Sequence, residues 1–339
     1  MIMSPAQQHP VPAVYDVCTI GNAMVDIIAD CDDTFLSSYG VIKGAMNLVD
    51  EARIDFLYDH IGPSLEMSGG SAANTAAGIA ALGGQPCYIG KVRDDPFGII
   101  FAHDMRASGV HYQTQLATEG SSTGRCLVLV TPDSQRSMNT YLGICADLSA
   151  DDIDPQLVAN AQITYLEGYL FDKPKAQEAF YVAAGLVHEA GRQLALTLSD
   201  TFCVDRHRSG FLDLVKNQVD ILIANEFELM SLFQVSSFEE AMSAARGCCD
   251  LVVGTRSEKG AVILAGDDSF IIAAEPPPQL RDSTGAGDLF ASGFLYGVTH
   301  GKDVPVSGRI GAIVASEAIS HYGPRPQSDL KALLDSKGI

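Results

Sequence analysis

Residues 281–300, RDSTGAGDLFASGFLYGVTH, combine a tight turn of small residues with a helical pattern of apolar residues. Leu289, Phe290, Phe294 and Val298 recur at helical spacing, which predicts one apolar helix face. The Gly-Ala-Gly sequence before this helix leaves backbone N–H groups with no side chain in front of them, and the helix dipole adds partial positive charge there. The sequence therefore predicts an anion site suited to phosphate.

Asp288 lies in the first turn of the same predicted helix, beside the predicted phosphate site. A carboxylate at that place is electrostatically unfavourable unless it has a chemical task. The task that fits is to take the proton from an alcohol that attacks the phosphate. The alternative is an ordinary helix start, in which Asp288 is a first-turn acid and the glycines serve the turn.

Two other phosphate-binding motifs are absent from the sequence. The dinucleotide fingerprint G-x-G-x-x-G fails because Phe290 stands at the place of the third glycine. The P-loop pattern G-x-x-x-x-G-K-[ST] occurs nowhere in the chain. These absences disfavour a dinucleotide oxidoreductase, which is kept as an alternative together with a catalytically silent nucleotide-binding regulator.

The stretch Asp282–Asp288 resembles the D-[ST]-T-G-A-G-D signature of the PfkB/ribokinase family of small-molecule kinases, and further family motifs follow in order over about residues 15–334. The resemblance implies ATP and Mg²⁺ as cofactors, and it suggests K⁺, for which Asp282 would be the ligand. It assigns roles to five neighbouring residues: Gly285, Ala286 and Gly287 as the anion hole, Thr284 at the ATP phosphates and Asp288 as the catalytic base.

Composition limits the class of protein. The 339 residues include 32 glycines and are 47% hydrophobic, which suits a buried parallel sheet with many turns. The net charge of −20 disfavours nucleic acid as a partner, because phosphate backbones need basic patches. The eight cysteines form no C-x-x-C pair and are typical of a reducing, cytoplasmic protein. We expect a small-molecule substrate, no membrane partner, and a monomer or homodimer.

The order of strand and helix patterns predicts the fold. Tyr15–Gly21 reads as a buried parallel strand, and strand patterns alternate with helix patterns in the second half of the chain. This predicts a three-layer α/β/α fold with a mostly parallel sheet over residues 13–339, after a loose tail at 1–12. Strand-rich insertions at about 24–50 and 110–142 predict a small second sheet, which the resemblance makes a lid over the substrate of a ribokinase-like kinase domain.

Four residues are candidates for binding the acceptor: two follow the first predicted strand, and two lie at the start of a predicted helix. Asn22 and Asp26 follow the first strand, where they read either as turn residues or as polar groups at the mouth of the site. Gly70 and Asn74 open a small-residue helix, which reads either as a close-packed core helix or as a binding element. The resemblance to adenosine-kinase-like family members implies that all four contact the ribose hydroxyls of the substrate.

Three more residues are candidates: one on the predicted lid for contact with phosphate, and two for contact with the purine of the acceptor. Arg136 reads as a surface cation or as a phosphate ligand, and the segment Asp133–Ser137, DSQRS, resembles the adenosine-kinase-like D-x-R-S pattern in which this arginine meets the transferring phosphate. Tyr169 and the apolar Leu170 are candidates for contact with a purine base. The resemblance favours adenosine as the acceptor, and ribose, fructose or 2-keto-3-deoxygluconate is the alternative.

Candidate residues for binding the nucleotide and Mg²⁺ lie in two loops that follow predicted strands. Asn225 and Glu228 read either as a helix N-cap with a first-turn acid or as a Mg²⁺ site, and they match the N-x-x-E motif of the family, which implies a Mg²⁺ role through water. Thr255 and Gly260 match the T-x-G-x-x-G nucleotide loop, but Ser257 replaces its first glycine, which puts a backbone contact there in doubt.

Overall fold

Two β-sheets organise the residues that the computed structural model describes, 12–133 and 135–339. The tail predicted at 1–12 lies outside the described residues except for Pro12. The strands are, in chain order, β1 (Tyr15–Ile20), β2 (Met24–Asp30), β3 (Met46–Leu48), β4 (Ser64–Gly69), β5 (Pro86–Ile89), β6 (Gly124–Val130), β7 (Arg136–Tyr141), β8 (Ala161–Glu167), β9 (Gln193–Thr197), β10 (Ile221–Asn225), β11 (Leu251–Thr255), β12 (Ala261–Ala265) and β13 (Asp268–Ile272).

Helices cover both faces of the larger sheet and the outer face of the smaller one. They are α1 (Asp33–Ser38), α2 (Glu51–Tyr58), α3 (Ser71–Ala81), α4 (Pro96–Ala107), α5 (Pro155–Ala159), α6 (Pro174–Glu189), α7 (Thr201–Asn217), α8 (Glu226–Phe233), α9 (Phe238–Ala245), α10 (Ala286–Thr299), α11 (Val304–Ala318) and α12 (Leu330–Ser336). Helices α5 to α9 contribute to one hydrophobic cluster against the larger sheet, and α10 and α11 contribute to a cluster on its other face. The predicted three-layer α/β/α fold is confirmed.

The large sheet has eight strands in the order β13-β12-β11-β10-β9-β8-β1-β5. Strands β5, β1, β8, β9, β10 and β11 pair in parallel, and β12 and β13 continue the sheet antiparallel at one edge. The chain moves from β1 in opposite directions to β5 and β8, so the carboxyl end of β1 lies at a topological switch point. Parallel sheets bind ligands at that edge.

The small sheet has five strands in the order β3-β7-β6-β2-β4. Four of them come from the two predicted insertions, but β4 lies outside both. Its sequence, SLEMSG, contains two serines, a glutamate and a glycine, so the propensity for a strand is weak. Pairing with β2 through six residue pairs, from Met24 with Gly69 to Ala29 with Ser64, places it in the sheet.

Aspartates at helix starts account for part of the acidity of the chain. Within the described residues, seven helices begin after an aspartate whose side chain accepts a hydrogen bond from a backbone N–H: Asp32, Asp50, Asp95, Asp154, Asp200, Asp303 and Asp329. By contrast, α3 and α10 begin at Gly70 and Gly285, with no side-chain cap. Their N-termini are therefore open to other partners.

Close packing holds α10 in place. Leu289 and Phe294 are 0% exposed, and burial of such a side chain contributes about 1.5–3 kcal/mol. Gly293 lies against the backbone of α11, where a Cβ would come within 2.8 Å of Gly311 Cα. The start of α10 is thus fixed relative to the large sheet.

The eight cysteines are all free thiols. Among the helices of the described residues, none is both long and apolar enough to cross a bilayer.

Candidate active site

The glycine turn before α10 has the geometry of an open helix N-terminus. Gly285 has φ +75°, a left-handed conformation that favours glycine, and a Cβ there would lie 2.5 Å from Pro324 Cβ. A Cβ on Gly287 would have no neighbouring atom within 4 Å. Because neither residue places a side chain over the backbone, an anion can approach the first amides of the helix.

Asp288 is half-buried in the first turn of α10 and is held by α3. Ser71 Oγ donates to its Oδ1 at 2.6 Å, and Asn74 Nδ2 donates to its Oδ2 at 2.9 Å. Burial raises the pKa of the Asp288 carboxyl, and these two hydrogen bonds together with the charge of Arg325 oppose that rise. The carboxylate is therefore oriented and remains able to accept a proton.

The side-chain amide of Asn74 has one atom that is hydrogen-bonded and one that is not. Its Nδ2 is used by Asp288, whereas its Oδ1 is buried and has no hydrogen-bond partner among the described residues. Ser71 was missed by sequence reasoning, because a serine at the first position of a helix has the ordinary explanation of a polar first turn.

Asn22 is held at the carboxyl end of β1 by a buried glutamate that sequence reasoning also missed. Glu167 Oε1 accepts from the backbone N–H of Asn22 at 3.1 Å and from its Nδ2 at 2.8 Å, and Oε2 accepts from Ala72 N at 2.8 Å. Burial raises the pKa of Glu167 to about 7, although these N–H donors favour its charged form. Glu167 thereby joins β1 to the start of α3.

Asp26 projects from β2 of the small sheet toward the same region. Burial raises its pKa to about 7, while Arg325 favours its charged form and Asp288 disfavours it. A Cβ at Gly69 would overlap the Asp26 carboxylate, and a Cβ at Gly70, which has φ +99°, would overlap the carbonyl oxygen of Asn22. The glycine pair is required because β2, β1 and α3 approach one another here.

Arg136 reaches from β7 of the small sheet to the signature turn. Its Nη2 lies 2.6 Å from Asp282 Oδ2, and its Nη1 donates to Thr284 Oγ1 at 3.3 Å. Asp282 also accepts from Thr284 N at 3.1 Å and from Gly323 N at 3.0 Å. Arg136 therefore supplies a positive charge at Asp282, the residue for which the sequence predicts a role toward a monovalent cation.

Asn225 and Glu228 form a reciprocal capping box at the start of α8. Asn225 Oδ1 accepts from Phe227 N at 2.9 Å and Glu228 N at 3.0 Å, while Glu228 accepts from Asn225 N at 2.9 Å and Nδ2 at 2.5 Å. Burial raises the pKa of Glu228 to about 7. The helix-capping interpretation is thus observed, and a role toward Mg²⁺ would have to be superimposed on it.

A direct metal cage is not available in this region. Across the described ranges, no three or more His, Cys, Asp or Glu side chains are arranged to hold a metal ion. Mg²⁺ often keeps its waters and binds through one or two carboxylates and substrate phosphates. Asn225 and Glu228 carry oxygen atoms that could contact the waters of such an ion, but they are not a full set of ligands.

Thr255 and Gly260 flank the turn between β11 and β12. Thr255 pairs with Asn225 in the parallel register, so the two predicted nucleotide residues lie side by side at the carboxyl ends of their strands. Gly260 has φ +82°, and a Cβ there would overlap the carbonyl oxygen of Ile272. Ser257, at the place where the family pattern has glycine, still adopts φ +49°. Ser257 thus holds a left-handed conformation that favours glycine.

Replacement of Ser257 with glycine should raise stability. A left-handed conformation costs a non-glycine residue about 1–2 kcal/mol, and the greater freedom of glycine in the unfolded chain offsets roughly half of that. We expect Ser257→Gly to increase the free energy of unfolding in urea by about 0.5–1 kcal/mol with an unchanged m value. Ser243→Gly, in the exposed face of α9, is the control and should lower it. Equal losses from both variants would contradict the prediction.

The two candidates for base contact differ in accessibility. Tyr169 is 37% exposed, and burial of its ring together with the carboxylates of Asp200 and Asp288 raises its pKa. Leu170 is 2% exposed and belongs to the hydrophobic cluster under the large sheet. Of the two candidates, Tyr169 is therefore the one with side-chain surface accessible to a base in this structure.

An open helix N-terminus and an oriented carboxylate, set at the carboxyl edge of a parallel sheet beneath a second sheet, are the arrangement expected of a small-molecule kinase. A profile of the pfkB family carbohydrate kinases matches residues 16–331. The chain belongs to this family and is a kinase, and the dinucleotide oxidoreductase alternative has no support.

Known relatives include both adenosine and sugar kinases. The structure is similar to that of adenosine kinase from Sinorhizobium meliloti, with 47% identity, a TM-score of 0.89 and coverage of 96% of this chain and 100% of that one. It is similar to a "probable sugar kinase protein" from Rhizobium etli CFN 42, with 48% identity, a TM-score of 0.89 and coverage of 96% and 99%. Adenosine kinase from Saccharomyces cerevisiae is 26% identical over 332 residues, covering 91% of this chain and 96% of that protein.

Proposed function

We propose that the protein transfers the γ-phosphoryl group of ATP to the 5′-hydroxyl of adenosine, giving AMP and ADP. The observation that carries the choice of acceptor is the apolar surface of the small sheet, on the same face as Asp26. A purine needs an apolar surface to bury its base, whereas a free sugar needs more polar partners. The resemblance of several motifs to adenosine-kinase-like proteins supports the same choice.

The strand register identifies the residues on that face. Residues directly opposite each other in a sheet share a face, and the pairs Asp26 with Cys126, Cys126 with Thr140, and Thr140 with Leu48 extend the Asp26 face across the sheet. Met46 and Leu48 on β3 are 46% and 58% exposed, and Leu65 on β4, opposite Ile28, is 57% exposed. These side chains offer exposed apolar surface on the face of the sheet that carries the Asp26 carboxylate. We propose that this sheet acts as the lid over the acceptor.

Polar groups suited to a ribose lie next to this surface. Asp26 can accept hydrogen bonds from ribose hydroxyls, and the unpartnered Oδ1 of Asn74 can accept another. Asn22 is oriented by Glu167 at the end of β1. The side chains proposed to bind the ribose therefore converge from β1, β2 and α3 around the Asp288 carboxylate.

The reaction needs little covalent chemistry from the protein. The acceptor oxygen attacks the γ-phosphorus, its proton goes to Asp288, and the bond between the γ-phosphorus and the bridging oxygen of ADP breaks. The amides of Gly285, Ala286 and Gly287 stabilise charge that develops on the phosphoryl oxygens. Arg136, which now contacts Asp282, would exchange part of that contact for the phosphate.

On the donor side, we propose that Thr284, Thr255 and Gly260 bind the nucleotide and that Asn225 and Glu228 act toward Mg²⁺ through water. When bound, Mg²⁺ neutralises phosphate charge and orients the donor. We further propose a cytoplasmic location, on the basis of the reduced cysteines expected from the sequence.

A substrate panel tests the acceptor. ATP consumption is measured with adenosine, inosine, ribose, fructose and 2-keto-3-deoxygluconate, and we expect kcat/KM to be highest for adenosine. Leu48→Ser should raise the KM for adenosine about tenfold, because it removes an apolar contact of about 1–2 kcal/mol. Ile271→Ser, on an exposed edge position of β13, is the control and should change nothing. A free sugar as the best substrate would favour the carbohydrate-kinase alternative, and no turnover on any acceptor would favour the silent regulator.

A further inference from the structure

Arg325 lies in the loop between α11 and α12 and has no role in the reaction proposed above. Its Nη1 donates to the carbonyl oxygen of Ala73 at 2.9 Å, and its Nη2 donates to the carbonyl oxygen and to Oγ of Ser68, both at 2.8 Å. A planar guanidinium holds such a set of acceptors in one fixed geometry, which an ammonium group cannot do. Arg325 therefore ties helix α3 to strand β4 of the small sheet.

Each of these anchor points is one residue away from a group at the site. Ala73 precedes Asn74, which donates to Asp288. Ser68 precedes Gly69, whose backbone lies against the Asp26 carboxylate. Ser68 is itself fixed to α4, because its N–H donates to Asp104 at 2.8 Å. The guanidinium thus connects the segment that orients the proposed base with the segment that packs on Asp26.

The charges around the guanidinium are mostly negative. Burial lowers the pKa of Arg325, while the carboxylates of Asp104, Asp26 and Asp288 favour its charged form. Reciprocally, its charge opposes the rise in pKa that burial causes in Asp288 and Asp26. The Asp288 carboxylate also raises the pKa of Asp26, because two nearby negative charges repel. The positive charge of Arg325 acts against that repulsion.

We propose that Arg325 is a positioning residue that holds the small sheet and helix α3 in the arrangement needed for catalysis and that places positive charge near both Asp26 and Asp288. The inference rests on the proposed function, since it assigns Asp288 as the base. It adds a residue that neither the signature turn nor the other sequence motifs contain.

Other charged or titratable groups act on the same two carboxylates and enter the interpretation of any pH profile. Arg136 of β7 acts on Asp26, and the remaining groups coupled to Asp288 lie on β8 and the 3₁₀ segment after it: Tyr165, Glu167 and Tyr169. Of these, Arg136 is paired with Asp282, so Arg325 is the cation that acts on both carboxylates without a salt-bridge partner of its own in the described residues.

The test compares pH profiles of kcat and kcat/KM for wild type, Arg325→Met and Arg325→Lys. Loss of the charge raises the pKa of the base, so Arg325→Met should move the acid limb to higher pH and lose more activity at pH 6 than at pH 8.5. Arg325→Lys keeps the charge but loses the planar guanidinium and its set of hydrogen bonds. The acid limb of its pH profile should therefore stay near that of wild type, while its Tm falls. Arg325→Gln is a second neutral variant if the methionine variant does not fold.

Arg125→Met is the matched control, because Arg125 is also buried, lies on β6 of the small sheet and pairs with Asp55. It should lower Tm without moving the acid limb, which separates a loss of packing from a loss of charge. Coincident acid limbs for wild type and the neutral Arg325 variants would overturn the proposal. An equal shift in Arg325→Lys and Arg325→Met would also overturn it, since charge would then not be the cause.

A measurement that needs no turnover distinguishes a failure of the Arg325 proposal from a failure of the proposed function. The carboxyl carbons of ¹³C-labelled aspartates are titrated by NMR, with Asp288→Asn and Asp26→Asn used to assign the signals. A higher pKa of both carboxyls in Arg325→Met supports the role of Arg325 even if no acceptor in the panel is phosphorylated. Unchanged titration in that variant refutes it, whatever the activity of the wild type.

Discussion

Asp288→Asn is expected to lower kcat by about 10²–10⁴-fold, the range over which general acid–base catalysis contributes. The amide keeps the size of the carboxylate and can still contact Ser71 and Asn74, but it cannot accept the proton of the acceptor. Nucleotide binding should remain near that of wild type, because the helix N-terminus and the nucleotide loop are unchanged. Steady-state kinetics and calorimetric titration with a non-hydrolysable ATP analogue measure the two quantities.

Asp303→Asn provides the control for this variant. Asp303 caps α11 through a 2.8 Å hydrogen bond from Val306 N, and asparagine is an equally good cap. Its kcat should match that of wild type. An Asp288→Asn enzyme with undiminished kcat would remove the assignment of the base, and a loss of folded protein would show instead that the Ser71 and Asn74 contacts require the carboxylate.

The second large effect is expected for Gly287→Ala, and it should appear in activity alone. The space around a Cβ at this position is open, so the added methyl group causes no steric conflict, and alanine favours the helix. That open space is where we expect the phosphoryl group to approach the amides. We therefore expect kcat to fall by about 10²–10³-fold, as for loss of an anion-stabilising donor, with Tm unchanged or slightly higher.

Gly285→Ala gives the opposite pattern in stability and serves as the comparison. A methyl group there would conflict with Pro324 and would require φ +75° of a non-glycine residue, so Tm should fall as well as kcat. Full activity of Gly287→Ala would mean that the phosphoryl group approaches from another side. A fall in its Tm equal to that of Gly285→Ala would contradict the open geometry described for the turn.

The sequence determined the features that depend on local pattern. The signature turn predicted the start of α10, the alternation of apolar strands and helices predicted the parallel sheet, and Asn225 to Glu228 predicted a helix cap that the structure contains. These inferences succeed because helix starts, turns and buried strands are specified by residues within a few positions of one another.

The tertiary structure alone decided which side chains meet. Ser71 contacts Asp288 across 217 residues, Glu167 contacts Asn22 across 145, and Arg325 contacts Ser68 across 257. Strand β4 joins the small sheet through pairing that its weak strand propensity does not predict, and Leu170 turns into the core although its neighbour Tyr169 is exposed. A single sequence contains no local signal for these partnerships, because they arise only when distant segments pack together. The turn at Asp282–Asp288 could thus be read from the chain, but the surroundings that orient and charge its carboxylate could not.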